Sequence, residues 1–348
     1  MFRYCFMGQR NLKKPYYILI VLVLAGCSKV DEPTKLELNY PSFFPKPKDF
    51  PVRNPLTVEG VELGRMLFYD PALSASGKIS CATCHLQQLS FSDGQKLSSS
   101  GISGNMLKRN SPALINLAWM DNLFWDGGVK NLESLPFAAL TSSDEMGGDL
   151  KEIVKYLNEN AKYKKRFQKT FGINQVSSAY IARALAQFQR TLVSANSKYD
   201  QVQRGENQFL EDELKGQKIF IQKCSSCHIP PLFTDNLFHN NGIDDDFPIA
   251  NEDVRAGRYR ITLDSMDLGK FKTPTLRNLK YTAPYMHDGR FESLRNVINH
   301  YQNGMKESKT LSNTLIDFHL EDQEANLILV FLATLNDEAF TENLQFAP

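Results

Sequence analysis

Residues 78–94 read KISCATCHLQQLSFSDG and place two cysteines and a histidine within five positions. A second copy of the pattern, KCSSCH, occupies residues 223–228. Cys-x-x-Cys-His is the signature of c-type haem attachment: two thiols add to the porphyrin vinyl groups, and the adjacent histidine binds the iron. The sequence therefore predicts two covalently bound haems. The attachment residues are Cys81, Cys84 and His85 for the first haem and Cys224, Cys227 and His228 for the second.

Two other uses of a Cys-x-x-Cys pair fit this chain less well. A four-cysteine zinc site needs its pairs at closer spacing, whereas 143 residues separate the two pairs here. A redox dithiol is usually surrounded by a βαβ pattern, and the sequence contains no strand of that type near either motif. Haem attachment is the better interpretation of both motifs.

The first 26 residues are typical of a bacterial lipoprotein leader. Basic residues precede the apolar run YYILIVLVLA (16–25), which is too short for a stable membrane-spanning helix. The run ends in LAGC (24–27), which resembles a lipobox, so we expect cleavage before Cys27 and acylation of that cysteine. An uncleaved membrane anchor is the alternative. Both place the body outside the cytoplasm, and Ser28 favours lipid anchoring to the outer membrane, on its periplasmic face.

Cysteine and charge counts agree with export. Removal of residues 1–26 deletes Cys5 and four basic residues, which leaves 36 Lys+Arg against 39 Asp+Glu. If Cys27 carries lipid, the four remaining cysteines all belong to the haem motifs, and none is left for the disulfides common in exported proteins. The net charge of +1 for the whole chain gives no indication of a nucleic-acid partner.

Helical periodicity surrounds both motifs. Residues 61–70 and 212–224 resemble the N-terminal helix of c-type cytochromes, and each has a glycine before a Leu-Phe or Ile-Phe pair. Residues 177–194 and 320–337 resemble the helices that cross them. These patterns predict a mostly α protein.

The predicted architecture is two cytochrome c-like helical domains packed together, each with one covalently bound c-type haem. We place an N-terminal cytochrome c-like domain at residues 50–205 and a C-terminal cytochrome c-like domain at residues 206–340. Residues 27–49 contain four prolines and mixed charge, and they are typical of a tether between lipid and body.

Three further segments carry a family resemblance. They are RNSPALINLAW (109–119), LFWDGGVKNLES (123–134) and KTPTLRNLKYTAPYMHDGRFESL (272–294). With the two haem motifs, they resemble the bacterial di-haem cytochrome c peroxidase superfamily, which includes the enzyme that matures the tryptophan tryptophylquinone of methylamine dehydrogenase. The resemblance implies that the first haem reduces hydrogen peroxide, while the second relays electrons from a small cytochrome c or cupredoxin.

The resemblance also implies roles for Trp125 and Glu145. In the family, the tryptophan of the Phe-Trp-Asp-Gly motif lies between the haems and helps electrons to cross. A glutamate twenty residues later lies on the distal side of the peroxidatic haem, where a carboxylate can move a proton between the peroxide oxygens. Without the resemblance, Trp125 is a buried aromatic residue and Glu145 a solvated acid.

The sixth ligand of the first haem is predicted by what the sequence lacks. His85 is the only histidine before His228, so the loop 90–110 does not supply the distal histidine of the peroxidases proper. We expect an open or water-ligated iron that peroxide can reach. Capping by Met106 or Met120, which would give an inert electron carrier, is the alternative.

The sixth ligand of the second haem is expected to be Tyr301. Residues 291–304 predict a short helix that ends at Gly304 and carries Tyr301 on its apolar stripe. In the peroxidases, a methionine ligand stands fourteen positions after the histidine that matches His287; here that position is Tyr301, as in the quinone-maturing relative. Phenolate favours ferric iron. Met305 is the alternative ligand.

Three scattered residues match the calcium site of the family. The resemblance implies that oxygens of Asn110, Thr282 and Pro284 hold Ca²⁺, which prefers hard oxygen donors. The predicted function is reduction of hydrogen peroxide to water by a di-haem peroxidase. The alternatives are an enzyme that oxidises residues of a partner protein through a high-valent two-haem state, and a non-catalytic electron-transfer cytochrome.

Overall fold

Twelve α-helices and one small sheet form the described part of the chain. The computed structural model describes residues 32–48, 50–247 and 254–348, so the predicted leader and Cys27 lie outside the described residues. The helices are α1 (Val58–Tyr69), α2 (Cys81–Cys84), α3 (Leu135–Thr141), α4 (Leu150–Glu159), α5 (Ala161–Phe171), α6 (Ser178–Arg190), α7 (Lys198–Gln203), α8 (Glu211–Lys223), α9 (Tyr259–Thr262), α10 (Leu294–Asn299), α11 (Asp322–Ala333) and α12 (Glu338–Thr341). Strands β1 (Phe238–His239) and β2 (Phe271–Lys272) pair antiparallel. The mostly α prediction is confirmed.

Helices α1 and α6 make the first of the two predicted crossings. The Thr57 side chain accepts a hydrogen bond from the Gly60 amide at 3.1 Å and so caps α1. Gly64 lies against α6 so closely that a Cβ there would be 2.0 Å from the Ala184 carbonyl oxygen. Only glycine allows the helices to approach to this distance, because any larger residue would overlap the facing backbone.

Helices α8 and α11 repeat this crossing in the second half of the chain. Acidic residues fill the first turn of α8, where they stabilise the positive end of the helix dipole. A Cβ on Gly216 would be 2.0 Å from the Leu327 carbonyl oxygen and 3.0 Å from the Phe331 Cβ. The four helices predicted around the two motifs are therefore present, and they pair as expected.

Two clusters of buried apolar side chains follow the two halves of the chain. The first cluster surrounds α1 and α6, and the second surrounds α8 and α11. The C-terminal residues Phe340 and Phe346 nevertheless pack in the first cluster, while Tyr199 packs in the second. Residues Glu32–Pro348 form one compact unit, and the division at residue 205 stays a prediction.

The described part of the predicted tether packs against the body. The Thr34 amide donates a hydrogen bond to the Glu59 carboxylate at 2.8 Å, and Lys35 forms a β-bridge with Thr57. The Phe44 side chain is buried beside Trp119, with ring centroids 5.5 Å apart. From Thr34 onward the segment is therefore held by contacts with the body. Across the described ranges, no helix is long and apolar enough to span a bilayer.

Candidate functional site: two Cys-x-x-Cys-His motifs on one cavity

The first Cys-x-x-Cys-His motif forms a single helical turn. Helix α2 consists of Cys81–Cys84, and its start is fixed by a hydrogen bond from the Ser80 amide to the Thr83 hydroxyl at 3.0 Å. His85 follows directly, and its Nδ1 lies 2.7 Å from the Phe91 carbonyl oxygen. An Nδ1–H that donates to this carbonyl leaves the Nε2 lone pair available, which is the arrangement of a metal-binding histidine. Burial lowers the pKa of His85, which favours the neutral ligand form.

The second motif repeats this arrangement at the end of α8. The Cys224 amide donates to the Phe220 carbonyl oxygen at 2.8 Å and ends the helix. His228 places Nδ1 3.1 Å from the Phe233 carbonyl oxygen, and burial lowers its pKa as well. Both histidines are therefore oriented by a backbone carbonyl five or six residues further along the chain.

One continuous cavity of about 860 Å³ joins the two motifs. Its walls are mostly apolar and include all six attachment residues that the sequence predicts. The cavity residues from the predicted sites are Cys81, Cys84, His85, Asn110, Met120, Trp125, Glu145, Cys224, Cys227, His228, Thr282, Pro284 and Tyr301. Burial raises the pKa of the Cys81 and Cys224 thiols to about 12. Free thiols, two available imidazole nitrogens and a large apolar cavity together fit a pair of covalently attached haems.

Glu145 lies on the cavity wall close to the first motif. Burial is the main cause of the raised pKa of Cys81 and of Cys84, and the Glu145 charge contributes to both. Burial, followed by the neighbouring Asp144 charge, raises the pKa of Glu145 itself. The Ile102 amide donates to the Glu145 carbonyl oxygen at 2.8 Å, so the backbone that carries this carboxyl group is fixed. The arrangement suits a group that exchanges a proton.

Trp125 lies on the cavity wall with its indole nitrogen fixed. Its Nε1 donates to the Asn110 carbonyl oxygen at 2.8 Å, and the Lys272 amide donates to the Trp125 carbonyl oxygen at 2.8 Å. The ring therefore has a defined position on the cavity that both motifs share.

Two of the three residues predicted to hold calcium, Asn110 and Pro284, are in contact. Asn110 donates its side-chain amide to the Pro284 carbonyl oxygen at 2.7 Å, and its own Oδ1 is buried without a hydrogen-bond partner. Thr282 lies on the same cavity. An unpartnered buried oxygen fits a hard cation, and the ion itself stays a prediction.

Tyr301 lies on the cavity wall in a π-helical turn, His300–Gly304, that continues α10. Burial raises the pKa of its hydroxyl group. The Asn241 side-chain amide lies 3.5 Å from the Tyr301 hydroxyl and 3.7 Å from the Met286 sulfur, which faces the same cavity. Met305 is not among the cavity residues. The geometry thus favours Tyr301 over Met305 and adds Met286 as a neighbour.

The two methionines considered for the first haem differ in position. Met120 lines the cavity, whereas Met106 is 63% exposed and lies outside it. Of these two side chains, only Met120 could therefore reach the cavity without a rearrangement of the loop that carries Met106.

His239 is a residue of the site that the sequence analysis did not assign. Its Nε2 lies 2.7 Å from the Asp235 carboxylate, and its ring forms a hydrogen bond with the Cys227 side chain. The hydrogen bond with Asp235, followed by the bond with Cys227, raises the pKa of His239 to about 9. The ligand atoms of these three residues lie within 4.8 Å of one another. No sequence signal points to His239, because its position beside the motif depends on strand β1.

Known proteins are similar to this chain in sequence and fold. The profile of the family described as di-haem cytochrome c peroxidase matches residues 58–208. Methylamine utilization protein MauG of Methylorubrum extorquens is 36% identical over 308 residues, which cover 87% of this chain and 84% of the relative. The chain belongs to the di-haem cytochrome c peroxidase family.

Two other similar proteins align over a still larger share of both chains. Cytochrome-c peroxidase IdrP1 of Pseudomonas sp. (strain SCT) is 32% identical and aligns with 94% of this chain and 93% of its own length. The crystal structure of a MauG-like protein associated with microbial copper homeostasis superposes with a TM-score of 0.83 at 33% identity, over 90% of this chain and 99% of that one. The family resemblance in the sequence is confirmed, and the relatives include both peroxidases and MauG proteins.

Proposed function

We propose that this family member reduces hydrogen peroxide at a first haem held by Cys81, Cys84 and His85, with electrons that enter through a second haem. The observation that carries the proposal is the single cavity that joins both Cys-x-x-Cys-His motifs, with Glu145 on the wall beside the first. When bound, each haem c supplies an iron for peroxide or electron chemistry. Both haems are attached through thioether bonds in this proposal, and each is carried by its own cytochrome c-like domain.

The residues around the first haem would then have separate roles in the reaction. His85 binds from the proximal side through Nε2, since its Nδ1 is engaged with the Phe91 carbonyl oxygen. Glu145, as carboxylate, would accept a proton from hydrogen peroxide and return it to the departing oxygen as the O–O bond breaks. The overall reaction, H₂O₂ + 2 H⁺ + 2 e⁻ → 2 H₂O, would take both electrons from the reduced donor through the second haem. Trp125 lies on the electron path between the haems.

Tyr301 is the proposed sixth ligand at the second haem. Its hydroxyl faces the same cavity as His228, and a phenolate would stabilise the ferric form. The reductant would be a small cytochrome c or a cupredoxin. We further propose a calcium ion at the unpartnered Oδ1 of Asn110, near the Pro284 carbonyl oxygen and Thr282.

A second candidate function is oxidation of residues in a partner protein. Tyr301 favours it, because a ferric-stabilised second haem is a poor acceptor from a high-potential donor. The absence of any histidine between His85 and His228 in the sequence favours it as well. The identity of 36% with a MauG protein is consistent with this candidate.

The site of action is proposed to be the periplasmic face of a membrane. Cys27 would carry the lipid after cleavage of residues 1–26, and Ser28 favours the outer membrane. Mass spectrometry of the mature N-terminus tests this directly: a diacylated or triacylated Cys27 supports the anchor, and a free N-terminus at another residue contradicts it.

One experiment tests the chemistry. The purified ferric protein is examined by optical and electron spin resonance spectroscopy before and after peroxide, and peroxide turnover is then followed with reduced cytochrome c. A high-spin component with sustained turnover supports the peroxidase. Reaction with peroxide but no turnover of small donors supports oxidation of a partner protein. Two fully six-coordinate irons that do not react with peroxide contradict both.

A further inference from the structure

Helix α5 carries a cluster of basic residues on its solvent-facing surface. Its apolar residues Tyr163 and Phe167 are buried against the body. On another side, Lys162, Lys165, Arg166 and Lys169 recur at helical spacing i, i+3, i+4 and i+7, and the three lysines are exposed. We call these four residues the basic face.

Part of the basic face is paired, and part is not. Arg166 forms an ion pair with Glu62 at 2.9 Å, and Lys169 forms one with Glu59 at 3.3 Å. Lys162 and Lys165 have no ion-pair partner among the described residues. Two like charges at this helical spacing repel each other weakly, and an anionic surface against them would relieve that repulsion.

The charge of this region is opposite to that of the remaining chain. Residues 151–169 contain seven basic and two acidic residues. The rest of the chain after residue 26 contains 29 basic and 37 acidic residues. A net charge of +5 on two adjacent helices therefore stands on a body of net charge −8, so an anionic surface would orient the molecule with this region towards it.

The N-terminal segment is fixed to the body at the end of the basic face. Glu59 accepts hydrogen bonds from the Thr34 amide at 2.8 Å and the Thr34 hydroxyl at 3.2 Å, and the same carboxylate pairs with Lys169. The Thr170 hydroxyl also donates to the Glu59 carbonyl oxygen at 3.3 Å. The segment that leads towards Cys27 is therefore attached beside the last turn of α5.

The length of chain between the proposed lipid and this attachment is short. Thr34 stands seven positions after Cys27, and seven positions of fully extended chain span at most about 25 Å. A lipid on Cys27 would keep Thr34, and with it the end of α5, within that distance of the membrane. Attraction to anionic headgroups falls off within a Debye length of about 8 Å. A tether no longer than about 25 Å lets the exposed lysines of α5 come that close to the surface.

We propose that the basic face of α5 is a docking surface for the anionic phospholipid headgroups of the membrane that holds Cys27. The proposal rests on the anchoring part of the proposed function and is independent of the peroxide chemistry. It makes the lipid and the lysines two attachments of one protein to one bilayer. The body is then held in a fixed orientation instead of rotating about a flexible connection.

The test uses the full-length, haem-loaded lipoprotein in vesicles of phosphatidylcholine alone or mixed with phosphatidylglycerol. Exposed amines are acylated with a water-soluble reagent, and the rate at each lysine is measured by mass spectrometry. In anionic vesicles we expect Lys162, Lys165 and Lys169 to react roughly fivefold more slowly than in phosphatidylcholine, with the difference lost in high salt. Lys218 and Lys309, which are exposed on the second half of the chain, should react equally in both.

The variant K162E/K165E and the matched control K218E/K309E complete the test. The first should abolish the slow acylation of Lys169 in anionic vesicles, and the second should retain it. Equal rates in both vesicle types, with lipid on Cys27 shown by its mass, would overturn the docking surface and leave the anchor intact. A Cys27 that carries no lipid would overturn the anchor and the docking surface together.

Discussion

Replacement of Glu145 by glutamine is the sharpest test of the proposed peroxide chemistry. Glutamine has nearly the same size but cannot accept a proton, so haem attachment and the ferric spectrum should remain unchanged. A positioned general acid–base group contributes about 10²- to 10⁴-fold to the rate. We therefore expect Glu145→Gln to lower kcat/KM for peroxide by this factor, which corresponds to about 3 to 5 kcal/mol of activation free energy.

The pH profile supplies a second, independent check on Glu145. The structure raises its pKa above the ordinary value of 4.5, chiefly through burial and then through the Asp144 charge. Because the ionised carboxylate is the proton acceptor, activity should fall as the pH drops through this raised pKa. The acidic limb of the wild-type profile should therefore lie above pH 4.5, and Glu145→Gln should lack it.

Asp144→Asn is the matched control. It removes the neighbouring negative charge that helps to raise the pKa of Glu145, so the acidic limb should move to lower pH while the plateau rate stays near that of the wild type. Stopped-flow measurements of peroxide reduction between acidic and neutral pH give all three profiles. A Glu145→Gln protein that keeps wild-type kcat/KM and an unshifted acidic limb would refute the assignment.

Three further substitutions test the second half of the chain. Tyr301→Phe should leave haem attachment intact and change the spectrum of the second haem, and an unchanged spectrum rules the ligand out. Gly216→Ala should destabilise the protein by about 1 to 3 kcal/mol or more in thermal unfolding, because the new Cβ would be 2.0 Å from the Leu327 carbonyl oxygen; a gain in stability would show that the helices separate freely. Asp200→Asn should lower the free energy of unfolding by about 3 to 5 kcal/mol in denaturant titrations. The reason is that the fully buried Arg277 loses its charged bidentate partner, whose oxygens lie 2.7 and 2.8 Å from the guanidinium nitrogens. A loss below about 1 kcal/mol would contradict a strong contribution from this ion pair.

Each of these three substitutions has a matched control variant. Tyr281→Phe changes a tyrosine in the same region and should leave the second haem spectrum unaltered. Gln217→Ala adds alanine to the same helix one position away from the crossing. Asp212→Asn removes an exposed carboxylate that pairs with Lys215. Because solvent screens this ion pair, its loss should change the free energy of unfolding very little.

The parts of this structure that follow from local pattern were predictable. Helix α1 and helix α11 show the apolar spacing and the acidic first turn that mark helices in a sequence, and the structure contains both. The two Cys-x-x-Cys-His motifs carry their chemistry within five residues. Tyr301 could be placed on the buried side of its helix from periodicity, and it lies on the cavity.

The parts that depend on distant contacts were not predictable. Proline and mixed charge around Phe44 indicate a free tether, but its ring is buried against Trp119, a partner that no local pattern identifies. His239 lies beside Cys227 because strand β1 turns it there. The basic residues of α5 are visible in the sequence, but their position beside Thr34 is a property of the fold alone.

The glycine contacts at the two crossings also bear on the order in which the molecule is assembled. In each half, the partner helix follows the glycine by more than one hundred residues, whereas the cysteines of the Cys-x-x-Cys-His motif follow it closely. A chain that emerges N-terminus first therefore presents both thiols and the histidine of each motif well before the partner helix has emerged. Porphyrin ligation can thus precede closure of the long loop, and a bound macrocycle would offer α6 and α11 an apolar surface on which to settle.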